Sequence, residues 1–159
     1  MQRLRAIVEA LSDTAGGLAG AAVLFLTGMV ASGVVARSVF DAPFLFVEEL
    51  SGYVVLVIVF LGLAHTMRAD GHIRVDVLIS NVGGPLRRAL QVGCALMALV
   101  WSLAVVAGTW RLVEEYYTES IRSFAYLQVL LWIPGVFMVI GAALLALQCL
   151  ALLLPVRPD

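Results

Sequence analysis

Four long runs of apolar residues decide what this chain can fold into. They cover about residues 15–36, 50–67, 89–110 and 124–154, with Arg, Asp or Glu close to both ends of each run. The first run, of about 22 residues, spans about 33 Å as a helix and can cross a hydrocarbon core of about 30 Å. In lipid, only helices and closed barrels satisfy every backbone polar group. The sequence therefore predicts an all-α integral membrane protein with four transmembrane helices, in a single membrane domain over residues 1–159.

The composition excludes several classes of protein. Hydrophobic residues make up 62% of the chain and charged residues 13%, whereas soluble domains are about half apolar and about a quarter charged. The net charge is -1, so no basic surface for nucleic acid is indicated. Cys94 and Cys149 lie inside apolar runs without metal-ligand spacing. No nucleophile with a base, phosphate loop or metal signature occurs, so the sequence predicts neither an enzyme nor a bound cofactor.

The arginines predict the orientation in the membrane. If the N-terminus is cytoplasmic, the cytoplasmic segments hold seven of the ten basic residues, all of which are Arg, and the opposite side holds Arg37, Arg111 and Arg122. Cytoplasmic loops carry the excess of Arg and Lys in inner membranes. We therefore expect a multi-pass protein of the bacterial inner membrane with both termini in the cytoplasm.

The first connection carries a pair of acidic residues just before span two. Pro43 suits the first turn of a helix, so a helix is expected to begin at the interface and continue into the span. Glu48 and Glu49 follow, directly before Leu50. Carboxylates at membrane depth are costly and often functional, which favours an ion or proton site. The competing interpretation, which the lack of a third nearby carboxylate favours, places them among the headgroups, solvated or paired with Arg37.

The second connection, residues 68–88, has apolar residues at helical spacing and polar residues largely on the other side. This pattern predicts a short amphipathic helix on the cytoplasmic surface. His72 and Asp76 lie four residues apart and could orient a metal, but two such groups without a further ligand rarely make a site. A turn at Gly71 is the simpler interpretation.

Small residues recur three or four positions apart within the spans, and this spacing allows close helix packing. Examples are Gly16 with Gly20, Gly28 with Ser32, and Gly141 with Ala142 and Ala146. No Asp, Glu or Arg lies in the middle of a predicted span. Because transport sites at the midplane are built from such groups and from broken helices, a stand-alone pump is disfavoured.

A series of short motifs follows in order from the end of span one to the second connection. They are Arg37, Phe40, Pro43, Glu48-Glu49-Leu50, Phe60-Leu61-Gly62, Arg68, Gly71-His72-Ile73 and Val75-Asp76. In a four-span chain of this length, this order resembles the DctQ-like small membrane subunit of tripartite ATP-independent periplasmic (TRAP) transporters. The hydropathy agrees with that family over nearly the whole chain.

The resemblance implies a three-part system. A periplasmic binding protein captures a small, usually carboxylate-bearing solute and docks onto a membrane complex, whose large multi-span subunit carries the solute and sodium sites. The small subunit would brace the large one within the lipid bilayer, and the sodium gradient would drive uptake by the complex. The motif residues Arg37, Pro43, Glu48, Glu49, Leu50, Gly71, His72 and Asp76 become candidates for contacts with a partner.

Two other functions compete with this interpretation. A cytochrome b-like membrane anchor would need histidines inside the spans to hold haem iron, and the chain has only His65 and His72. A self-sufficient, homodimeric efflux transporter would need an acidic residue embedded in the membrane, and Glu48 and Glu49 are expected near its surface.

Overall fold

The computed structural model describes residues 2–41, 44–68 and 83–153, and it confirms an all-helical fold. All four helices are long and apolar enough to cross a membrane. No strand occurs among the described residues, apart from one isolated bridge between Arg122 and Leu130. The helices are α1 (Gln2–Phe40), α2 (Leu45–Arg68), α3 (Gly84–Thr118) and α4 (Trp132–Leu153).

The fourth helix begins later than the apolar run predicts. The run starts near Phe124, but α4 starts at Trp132, because the preceding residues bond to one another. Within that segment the N–H of Ser123 donates to the Val129 carbonyl at 2.9 Å. Pro134 falls in the first turn of α4. Backbone N–H groups in that turn have no acceptor within the helix, so a residue without an N–H is tolerated there. The apolar character of residues 124–131 thus belongs to a folded loop and not to a helix.

The helices form an open array and not a closed bundle. In the described residues, α2 and α4 pack together at the centre, α1 packs on α2 and on part of α4, and α3 packs on α4 alone. We call the end that carries residues 119–131 the loop end, and the opposite end the terminal end. The outward faces of α1 and α3 are apolar, with Leu24 76% and Met97 72% exposed. Such faces are stable only against lipid or another apolar surface.

Two of the small residues make the close helix contacts that their spacing allows. A Cβ atom at Gly141 would collide with the backbone carbonyl of Phe60, so α4 approaches the backbone of α2 directly. Gly16 of α1 likewise faces the His65 ring of α2, which a Cβ atom would overlap. Gly20 and Gly28, in contrast, would present a Cβ to nothing within 4 Å. The stripe of small residues on α1 is therefore only partly used inside this chain.

Polar contacts join three helices at the terminal end. The Ser12 hydroxyl of α1 donates to the Gln148 Oε1 of α4 at 3.4 Å, and both side chains are buried. The next residue, Asp13, lies 3.5 Å from Nδ1 of His65 on α2. These positions belong to α1, which begins at Gln2, well before the predicted start of span one at Ala15. Their contacts hold α1 against α2 and α4 at this end.

Candidate contact site at the loop end

The acidic pair lies where α2 begins. The helix starts at Leu45, so Glu48 is in its first turn, where the helix dipole favours a negative charge. Glu48 is exposed, whereas Glu49 and Leu50 are partly buried. Pro43, which the sequence places in this turn, lies outside the described residues.

Glu49 connects α2 to the 119–131 loop. The backbone N–H of Leu127 donates to its Oε2 at 2.7 Å, and the Tyr53 hydroxyl, one turn further along α2, donates to its Oε1 at 3.0 Å. A carboxylate that accepts such bonds is held more firmly than a neutral acceptor would be. Both oxygens of Glu49 therefore accept hydrogen bonds within the chain.

The loop that Glu49 holds has its own internal structure. The N–H of Leu131 donates to the Ile121 carbonyl at 3.1 Å, and Ile121 donates to Tyr116 of α3 at 3.1 Å. The rings of Tyr117 and Trp132 meet edge to face, with centroids 5.8 Å apart, which ties the end of α3 to the start of α4. The loop is thus fixed to three helices, and Glu49 supplies its link to α2.

Glu48 and Arg37 lie at a different place, between the ends of α1 and α2. They line a cavity of about 150 Å³ that Val47 and Gly33 also border. No ion pair joins Arg37 to Glu48 in the part of the chain that the structure describes. The side chain of Val47 packs directly on Gly33, 3.3 Å from where a Cβ atom would stand. The two charged groups therefore face solvent or a partner at the rim of a tight contact between α1 and α2.

The other candidate residues fall in the second connection. Gly71, His72 and Asp76 lie outside the described residues, as does the predicted amphipathic helix around them. The metal hypothesis for His72 and Asp76 therefore stays a prediction. Leu50, the last motif residue of the first connection, lines an apolar crevice between the helices.

The sequence did not indicate the partners of Glu49. Leu127 contributes its backbone N–H, which every residue except proline possesses, so its side chain carries no signal. Tyr53 lies four residues after Glu49, a spacing that brings two side chains together on a helix. That spacing is compatible with the Tyr53 contact but does not single it out.

Comparison with known proteins decides the family. The model of the family described as tripartite ATP-independent periplasmic transporters, DctQ component, matches residues 26–157. The chain belongs to this family. The match includes the last part of α1, from residue 26, and the whole of α2, α3 and α4, and it also includes the second connection with Gly71, His72 and Asp76. No curated protein sequence matches the chain.

Membership in the DctQ family makes the chain the small membrane component of a TRAP transporter. The four apolar helices accord with this assignment. In this DctQ chain the paired acids have separate positions, since Glu49 binds the 119–131 loop and Glu48 lines the cavity beside Arg37. The motif therefore combines an internal link with an exposed charge.

Replacing Glu49 with alanine is expected to release the loop from α2. The Leu127 amide would lose its acceptor, so hydrogen–deuterium exchange in peptides covering residues 121–130 should become several-fold faster. Glu48→Ala is the matched control. It removes the same charge from the adjacent residue, whose side chain is exposed at the rim of the cavity beside Arg37. Equal exchange in the two variants would show that Glu49 does not hold the loop.

Proposed function

We propose that this DctQ component is a scaffold for the large subunit of a TRAP transporter, which takes up a small carboxylate-bearing solute from a periplasmic binding protein, driven by a sodium gradient. The supporting observation is the open array, whose outward faces on α1 and α3 are apolar and contact no other helix of the chain among the described residues. The solute class and the sodium gradient rest on the family resemblance. The bracing role rests on the shape of the array.

The positions of the charged side chains support a scaffold over a self-sufficient transporter. Midplane transport sites use charged or polar groups within the spans, or broken helices. In this chain Glu49 lies near the start of α2, and both of its oxygens accept hydrogen bonds from neighbouring residues. At the terminal end Asp13 lies 3.5 Å from Nδ1 of His65 on α2.

The experiment that tests the scaffold is co-purification. The tagged chain would be co-expressed with the large TRAP subunit of the same organism, and the pair isolated from bacterial inner membranes in mild detergent. We expect the two proteins to elute together without the binding protein. Elution of this chain as a homodimer that excludes the large subunit would favour the efflux transporter instead.

The proposed topology places the loop end in the periplasm and both termini in the cytoplasm. The arginine asymmetry supports it, with seven of ten basic residues on the cytoplasmic side. Reporter fusions after Asp159 and within residues 70–85 should be active only as cytoplasmic reporters. Fusions near Asp41 or Glu119 should be active only as periplasmic ones. A fusion after Asp159 that reports periplasm while fusions within residues 70–85 still report cytoplasm would change the number of crossings and contradict the four-span arrangement.

A further inference from the structure

The uncharged runs of the four helices are staggered along the array. Contacts between neighbouring helices show which of their residues lie level with one another. On α1 and α2, Gly33 packs on Val47 at the loop end, and Gly16 packs on His65 at the terminal end. The uncharged run of α1, residues 15–36, therefore extends from about the level of His65 to about the level at which α2 begins.

The uncharged run of α3 is displaced toward the terminal end. Val113 of α3 lies against Gly135 in the first turn of α4. Further along the same pair of helices, Ser102 lies beside Cys149, and both side chains are buried. The run of α3 ends just before Arg111, which is two residues from Val113. Arg111 therefore lies level with the second turn of α4 and not with its start.

That turn of α4 lies level with the middle of the uncharged run of α1. Phe137 of α4 lines the same crevice as Val57 of α2 and Phe25 of α1, and Phe25 is near the centre of residues 15–36. On α3 the run thus ends at the level of Phe25, whereas on α1 it continues to Ala36. The chain between Phe25 and Ala36 corresponds to about 16 Å of helix at a rise of 1.5 Å per residue.

An upright array would place charged side chains of α3 in hydrocarbon. Arg111, Glu114 and Glu115 are exposed on α3, and they would lie level with the apolar middle of α1. A charged side chain at such depth is costly. The charged groups at the loop end of α1 and α2, Arg37 and Glu48, would at the same time stand clear of the hydrocarbon. No single plane perpendicular to the helices therefore passes through the charged ends of all the runs.

We infer that the array crosses the bilayer with its helix axes inclined, so that Arg37, Glu48 and Arg111 all contact the headgroups of one leaflet. Packed helices lie 8–10 Å apart, so α1 and α3, on opposite sides of the central pair, are roughly 20 Å apart. An offset of about 16 Å over that distance corresponds to an inclination of roughly 40° from the bilayer normal, at the upper end of the range of about 0–40° for transmembrane helices. The headgroup-binding surface is thus oblique to the helices. It belongs to this chain alone and does not depend on the scaffold function.

The test compares the depth of two indole rings that lie at the same level along the helix axes. Trp110 of α3 and Leu24 of α1 directly precede the two level residues, and both side chains are exposed. One full-length variant keeps Trp110 as its only tryptophan, through Trp101→Phe and Trp132→Phe. The other replaces all three natural tryptophans with Phe and adds Leu24→Trp. Each is reconstituted in phosphatidylcholine vesicles whose acyl chains carry bromine, a fluorescence quencher, near either the ester group or the terminal methyl group.

The inclined array predicts opposite quenching of the two indoles. The emission of Trp110 should be quenched more strongly by bromine near the ester group, and that of the Leu24→Trp variant more strongly by bromine near the terminal methyl group. The same preference for deep bromine in both variants would mean an upright array and would overturn the inference. Emission from Trp110 that neither lipid quenches would mean that a second copy of the protein covers this part of α3, and would overturn the headgroup contact.

Removal of the charges on α3 provides a second measurement. Arg111→Leu combined with Glu114→Leu and Glu115→Leu removes the groups that require contact with headgroups, so the quenching of Trp110 should shift toward the deep bromine. Glu119→Leu is the control, because Glu119 is exposed just past the end of α3, and it should leave the quenching unchanged. An unchanged quenching ratio in the triple variant would contradict the headgroup contact of these side chains. The comparison with Leu24→Trp remains decisive if the triple variant fails to insert.

Discussion

Gly141→Val should force α2 and α4 apart and strongly destabilise the protein. A Cβ at position 141 would collide with the carbonyl group of Phe60, which is backbone and cannot rotate away. Overpacking of a tight contact typically costs about 1–3 kcal/mol, and this contact joins the two central helices of the array. The denaturation midpoint of the purified chain in detergent should therefore fall clearly.

Gly28→Val is the control that distinguishes the effect of packing on stability from the effect of helix propensity. Both substitutions introduce the same β-branched residue into a membrane-spanning helix, but a Cβ at Gly28 meets nothing within 4 Å. The control should therefore unfold close to the midpoint of the unaltered protein. Equal losses in the two variants would mean that glycine matters at position 141 for a reason other than the approach of α4 to Phe60.

The helices could be predicted from the sequence because lipid imposes a simple rule. Each uncharged run must satisfy its own backbone, so hydropathy and length identify the four crossings without knowledge of their packing. The fourth helix starts at Trp132 and not at the beginning of its apolar run near Phe124. Residues 124–131 are apolar, but their backbone groups bond within the loop, as from Ser123 to Val129. Hydropathy does not distinguish an apolar loop tied to its neighbours from a helix.

The contacts of the acidic pair depend on tertiary structure and were not visible in the sequence. Glu48 and Glu49 are adjacent and chemically identical, yet only Glu49 faces the 119–131 loop. The helical geometry of α2 directs the side chains of Glu48 and Glu49 to different sides. The hydrogen-bond donor for Glu49 comes from Leu127, 78 residues away in the sequence, so it depends on the fold of the 119–131 loop. Small-residue spacing was equally ambiguous, because Gly16 contacts another helix and Gly20 does not.

The open array also has a consequence for assembly. The central pair α2 and α4 has neighbours on more than one side, while α1 and α3 each expose a long apolar face. A chain built in this way is suited to packing along another membrane protein, since helices in lipid associate through close packing of such faces. Gly20 and Gly28 lie on α1 without a neighbour, so this helix can approach a partner backbone closely.

In proteoliposomes with an inward sodium gradient, this chain alone should give no solute uptake above empty liposomes. The large subunit without this chain should lose most or all of the uptake that the complete system shows. The reason is that no Asp, Glu or Arg lies in the middle of the described helices, and Glu49 lies near one end of α2, where it bonds to Leu127 and Tyr53. This chain would therefore contribute a packing surface and not a pathway.

The controls for the transport experiment separate loss of the scaffold from loss of solute delivery. The binding protein should bind its ligand equally well in all mixtures, so that a fall in uptake reports the membrane complex. Glu49→Gln should slow uptake by loosening the 119–131 loop, while the dependence of the rate on sodium concentration stays unchanged. A shifted sodium dependence would place Glu49 in the ion pathway. Sodium-driven uptake by this chain alone would show that it carries the solute itself, because no other protein would then be present to form the pathway.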